Sequence, residues 1–225
     1  MGTITGPGVS WWENFYTLLD PSSNLLYPGT GFTFSNPFIY KRYSDWTMTD
    51  NTNLIAGSGI SKYVKQTGKQ QFSQRLTQTD NFASPSTNNF TMIWIMSIPS
   101  GATDGSILQI QSNNTVFGYT ASGEIQHNNS GTTYTTTGLG LTDNVWRHFA
   151  YLRSGTATSL YINGVYNQGF TLATNNSFGA ADTKMFDYPG SDVSIGLLWL
   201  APVFVPSAAQ VREHYRSYRR RFGLR

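Results

Sequence analysis

Residues 145–165 read VWRHFAYLRSGTATSLYINGV, and this stretch decides the fold. Phe149 and Tyr151 alternate with His148, Ala150 and Leu152. In an extended chain, successive side chains point to opposite faces of a sheet, so the alternation predicts a strand. A polar turn is expected over Arg153 to Thr158, followed by a second short run, Leu160-Tyr161-Ile162. That run ends in Asn163-Gly164, two residues that tolerate the positive φ a tight type I′ hairpin turn requires. The stretch therefore reads as two antiparallel strands, with a third beginning at Val165.

The rest of the chain has the same grain. Residues 90–98, FTMIWIMSI, are continuously apolar and read as a central strand. Shorter strands fit 71–76, 106–111, 116–120, 123–128 and 132–137, and residues 192–205, DVSIGLLWLAPVFV, read as the closing strand. Short strands at spacings of about 8–12 residues argue for a sandwich or barrel. With only 12% charged residues, the chain is poor in helix formers, and 15% aromatics favour strands. Only the end breaks the pattern. Pro206 and Ser207 form a helix start, and Val211, Tyr215, Tyr218 and Phe222 then fall at i, i+4, i+7 and i+11, one helix face. In the other direction, Gly2, Gly6, Pro7 and Gly8 predict an extended arm, and Trp11, Trp12, Phe15 and Tyr16 an aromatic segment that packs on something.

Three of these features also carry a family resemblance. Trp146-x-His148-hydrophobic-Ala150 with Leu160-Tyr161-Ile162-Asn163-Gly164, the Phe90 run with its Trp94, and Phe204-x-Pro206-Ser207-x-x-Gln210-Val211 resemble the laminin-G-like, concanavalin-A-like jelly rolls. The resemblance covers about residues 70–218 and implies an all-β fold. The expected fold is a two-sheet antiparallel jelly-roll sandwich (29–206) between an extended N-terminal arm (1–28) and a short basic C-terminal helix (207–225). Trp94, Phe149, Tyr151, Leu160 and Ile162 are expected in its core.

Few residues offer chemistry. Retaining glycoside hydrolysis on such a scaffold needs two carboxylates about 5–5.5 Å apart. The three glutamates, Glu13, Glu124 and Glu213, have no acid two to five residues away, and Glu124 reads as a turn carboxylate. His127, His148 and His214 are far apart, no G-x-S-x-G elbow is present, and they read as structural histidines. No enzyme is expected, and no catalytic residues. There is no cysteine and no calcium-loop motif. Asp182, Asp187 and Asp192 could gather around Ca²⁺ but read as loop acids, so neither a metal nor a cofactor is expected. Phe186, Asp187 and Tyr188 combine an aromatic platform with a carboxylate, and Asn128-Asn129 add amides; Asp187 and Tyr188 are the candidate glycan contacts.

Residues 209–225 hold six arginines and one acid, Glu213, which leaves the remainder slightly acidic. Confined to one helix, this charge fits an acidic protein surface better than nucleic acid. The candidate partner-binding residues are Trp11, Trp12, Arg216, Arg219, Arg220 and Arg221. The N-terminus lacks a basic-then-apolar leader and no apolar run is long enough to span a bilayer, so neither secretion nor a membrane partner is expected. Four Asn-x-Ser/Thr sequons, at 89, 113, 128 and 175, read as by-products of an Asn/Thr-rich composition. These features together suggest a virion structural protein assembled in the bacterial cytoplasm. The expectation is a phage head decoration (cement) protein, homo-oligomeric and held by other virion proteins. The alternative is a carbohydrate-binding adhesin module of a tail fibre or host-recognition domain.

Overall fold

The computed structural model describes residues 89–110, 115–129, 131–173, 193–201 and 204–225, together with the strands at 16–19, 33–34, 46–48, 55–56, 63–65, 72–76 and 181–185. Two antiparallel sheets face each other, as the alternating pattern requires. The first contains β4 (Ile55–Ala56), β5 (Tyr63–Lys65), β7 (Phe90–Ser97), β12 (Arg147–Ser154), β13 (Ala157–Ile162), β14 (Val165–Gln168) and β16 (Ser194–Ala201). Its order is β14-β13-β12-β7-β16-β5-β4, and β1 (Tyr16–Leu19) also pairs with β16. Strand β1 lies within the segment expected as an arm. The second sheet takes β2 (Thr33–Phe34), β3 (Trp46–Met48), β6 (Phe72–Leu76), β8 (Gly105–Ile110), β9 (Thr115–Tyr119), β10 (Ile125–Asn129), β11 (Thr132–Thr135) and β15 (Ala181–Met185). Its order is β11-β10-β9-β8-β15-β6-β3-β2.

Strand β7 is central, between β12 and β16, and every one of its residues is buried. Its Trp94 stacks on Phe149 of β12 at 5.1 Å between ring centroids, while Phe90 meets Phe117 of β9 edge-on at 5.4 Å. Rings from both sheets thus interlock between them. Each fully buried large aromatic contributes roughly 3 kcal/mol. Trp94, Phe149, Tyr151 and Leu160 are in this core, but Ile162 is only half-buried: it is the last residue of β13, beside the turn.

The Asn163-Gly164 turn has φ of 51° and 77°, the sign a type I′ hairpin needs. The turn before it is shorter than the sequence pattern suggested. Strand β12 runs to Ser154 and β13 starts at Ala157, so Arg153 and Thr158 are strand residues and not turn residues. Arg153 points into the sandwich, and its Nε donates to Gly155 O at 2.9 Å, which makes an interior position tolerable for its stem. Asp182 belongs to β15, opposite Arg75 of β6 in register, and not to a loop.

The helix, α1, spans Ala208–Phe222. Ser207 caps it through a capping box with Gln210, and Gly223 in the left-handed region ends it. Val211 and Phe222 are buried and Tyr215 and Tyr218 half-buried against Ile93, Ile95, Leu197 and Trp199. These four belong to the face of the first sheet turned away from the core. The molecule therefore has three layers: helix, first sheet, second sheet.

Candidate functional site

Strand β10 explains where an open polar surface comes from. Ile125, His127 and Asn129 point inward and are buried, so Gln126 and Asn128 point outward. The same alternation carries Val116 and Gly118 of β9 and Thr133 and Thr135 of β11 to the outer face. With Asp104, Gly105, Ser106 and Gln109, all of these but Thr135 line an open cleft of about 300 Å³. The cleft floor is low because residue 118 is glycine: a Cβ there would overlap the carbonyl oxygen of Gly105. That close approach coincides with the register shift between Ser106 and Leu108 in the β8–β9 pairing.

The polar groups are held in place. Asn128 Nδ2 donates to Thr133 Oγ1 at 3.1 Å, and its Oδ1 accepts from Gly131 N at 3.1 Å. Gln126 Nε2 reaches Thr135 Oγ1 at 3.4 Å, and Asp104 Oδ1 accepts from Ala121 N at 2.6 Å. An amide carries two donors and two acceptor lone pairs, so each of these side chains keeps capacity for a ligand. The wall thus offers fixed amides, hydroxyls and one carboxylate.

The histidines lie elsewhere. Tyr151 hydroxyl and His127 Nδ1 share a 2.6 Å hydrogen bond across the sandwich, and His127 stacks on Phe117 at 4.6 Å. Burial first, and then the Arg153 charge, lower its pKa to about 3. His148 Nε2 and His214 Nδ1 lie 2.9 Å apart beneath α1, between Trp199, Tyr215 and Tyr218. Burial lowers His148 to about 3; burial and the neighbouring His148 push His214 well below its ordinary value. All three are neutral structural groups. Glu124 is likewise structural: its carboxylate accepts from Thr136 Oγ1 at 2.7 Å and Leu139 N at 2.9 Å, tying down the loop after β11.

The sequence candidates divide. Trp11, Trp12, Asp187 and Tyr188 lie outside the described residues. Asn128 and Asn129, read as a pair, are split by the pleat: Asn128 lines the cleft and Asn129 is buried. Arg216, Arg219 and Arg220 stand exposed on α1, while Arg221 lies over the Phe222 ring at 4.8 Å. The apolar face of α1 is used within the molecule, so only its arginine side is open to a partner. Among the described residues, no three histidine or acidic side chains gather as metal ligands would. Sequence reasoning missed Ser106, Gln109, Gly118, Gln126 and Thr133; their signal was the polar half of the strand alternation.

Several solved structures share this fold. The chain resembles a structure of botulinum neurotoxin type C, a toxin whose cell entry depends on interaction with two ganglioside molecules (10% identity, TM-score 0.59, 84% of this chain and 51% of that one). It also resembles the binding domain of Paraclostridial Mosquitocidal Protein 1 (13%, 0.63, 84% and 52%) and the binding domain of botulinum neurotoxin DC in complex with SialylT (9%, 0.61, 82% and 48%). The chain spans about half the length of these structures. No curated protein matches the sequence. The family model for the concanavalin A-like lectin/glucanases superfamily matches residues 65–193, more than half of the chain. In keeping with its two facing antiparallel sheets, the chain belongs to the concanavalin A-like lectin/glucanase superfamily.

Proposed function

We propose that this protein is a non-enzymatic carbohydrate-binding module that holds a glycan in the cleft on the outer face of the second sheet. The observation that carries this reading is the row of outward Gln109, Gln126, Asn128 and Thr133 side chains around the Gly118 floor. Sugar hydroxyls donate and accept at once, and fixed amides match both roles. The carboxylate of Asp104 accepts hydroxyl protons but repels anionic sugars, so the ligand is a neutral glycan. Hydrolysis would need a second carboxylate across the bond, and among the described residues Asp104 is the acid that lines the cleft. The resemblance to a toxin whose cell entry depends on gangliosides and to a toxin binding domain in complex with SialylT supports a binding role on the same fold.

This reading prefers the adhesin alternative to head decoration. Decoration drew on Trp11 and Trp12, which are outside the described residues, and on the α1 arginines, whereas the polar cleft and the resemblance to toxin binding domains favour a glycan-binding module. In a virion the module would serve in a tail fibre or host-recognition domain. A glycan array covering neutral and sialylated structures tests the proposal. Wild-type protein is expected to bind neutral glycans, and Gln126→Ala with Asn128→Ala to lose at least about tenfold in affinity. No binding to any glycan, or equal binding by the double variant, would overturn it.

A further inference from the structure

The exposed side of α1 carries charge without a counterpart. Arg212, Arg216, Arg219 and Arg220 are exposed. Positions 212, 216 and 220 repeat every four residues, which sets three arginines along one slanting stripe of the exposed helix surface at steps of about 6 Å. Among the described residues, none of these three meets a carboxylate, whereas Arg147 pairs with Asp143 at 2.6 Å. Arg219 gives its Nε to Leu224 O. One acid, Glu213, lies on the same helix.

A second feature adjoins this line. The Asn163-Gly164 turn packs on the helix: a Cβ at Gly164 would sit 3.2 Å from Arg212 Cα, and Asn163 Nδ2 donates to Arg225 O at 2.8 Å. The next two residues are Val165 and Tyr166, the exposed large hydrophobics among the described residues, at 64% and 57%. Tyr166 pairs with Tyr161, which packs on the α1 side of the sheet, whereas Val165 pairs with Ile162 on the core side, so it is Tyr166 that projects beside the Arg212 end of the cationic row.

We propose that the arginine row of α1 and the exposed Tyr166 beside it together form a surface that lies on an anionic phospholipid bilayer. A helix held flat on a sheet presents its charges to a plane, and a plane of lipid phosphates and carboxylates matches their spacing without requiring a particular sequence or shape. Clusters of four or more arginines gain from anionic lipid in proportion to their number. Tyrosine suits the boundary, because its ring enters the apolar zone while its hydroxyl stays wet. A duplex reader would need an element free to enter a groove, and α1 is fixed along its length by Val211, Tyr215, Tyr218 and Phe222. The contact is peripheral: no helix among the described residues is long and apolar enough to span a membrane. It revises the expectation of no membrane partner, and it leaves the polar cleft on the opposite sheet turned away from the lipid.

Sedimentation with phosphatidylcholine vesicles, with and without phosphatidylserine, tests the surface at low and high salt. Wild-type protein is expected to bind only the anionic vesicles and to be released by salt. The triple variant R212A/R216A/R220A should lose roughly a hundredfold in partitioning, about fivefold for each arginine. Its substitutions are exposed, so its thermal midpoint should match wild type. The single reversals R212E, R216E and R220E, each weakening binding in turn, give the same answer if the triple variant misfolds. Tyr166→Ser should weaken binding by a smaller factor and leave the salt dependence unchanged. Equal binding to neutral vesicles, wild-type partitioning by the arginine variants, or tighter binding of a DNA duplex than of the vesicles would overturn the proposal. So would a Tyr166→Ser protein that binds as wild type does. Glycan binding by the cleft is read separately and is untouched by these variants.

Discussion

The two sheets differ in what they do with their outer faces. In β7, β12 and β16 both halves of the alternation are apolar: Trp94 and Phe149 face the core, while Ile93, Ile95, Leu197 and Trp199 face α1. In β10 the inner half, Ile125, His127 and Asn129, is buried, and the outer half is the open pair Gln126 and Asn128. The first sheet therefore needs a cover, and the second can remain open to a ligand. The residues on the second half of the pleat, not the strand itself, decide whether a sheet becomes an inner wall or a binding face.

Acid is expected to break this contrast most strongly. Folded His127 and His148 titrate near 3 against an ordinary value of 6.5, and His214 is lowered in the same direction. The unfolded chain therefore binds protons first. Stability should be complete above about pH 6.5 and be lost as the pH falls toward 3, by about 2 kcal/mol for each of His127 and His148 at about pH 5. Denaturant midpoints measured from neutral pH downward check this; a flat profile would show that the histidines are not buried neutral. Next in size, Trp94→Ala should cost about 3–5 kcal/mol, measured by urea unfolding. A loss below about 1 kcal/mol would remove Trp94 from the core.

Phe222→Ala should cost less, about 3 kcal/mol, because it uncovers one side of one sheet only. Its ring sits directly over Gly196, where a Cβ would run into it, so Gly196→Val should destabilise the same layer by displacing the ring. Differential scanning calorimetry of both variants sharpens the comparison: the covered face should respond to each. The open face should hardly respond. Gln126→Ala and Asn128→Ala should stay within about 0.5 kcal/mol of wild type in stability while impairing glycan capture.

Much of the covered side was legible in the sequence. The 90–98 run, the 145–165 hairpin and the Val211 to Phe222 periodicity each repeat one physical signal over many residues. The His148–His214 contact was not legible, because a bond between residues so far apart depends on how α1 crosses the sheet. His214 also precedes the Tyr215 row by one position, which hid its inward direction. The cleft was harder still. A lone Gln or Asn in an Asn/Thr-rich chain carries little signal, and Gln126 and Asn128 acquire meaning only once Ile125 and His127 are known to face inward. Arg153 was misread because arginine usually marks a turn or surface, and its burial depends on contacts made after folding.

The covering helix has a further consequence for how the protein is made. Chains emerge from the ribosome N-terminus first, so β7, β12 and β16 are complete before α1 exists. In that interval Ile93, Ile95, Leu197 and Trp199 form a bare apolar patch, which another nascent chain or a chaperone can seize. The capping box at Ser207 and the Gly223 stop shorten that exposure, because a helix with both ends specified can form within about a microsecond of emerging. Helix α1, made after the strands it covers, thus acts as the guard against aggregation for that face of the first sheet.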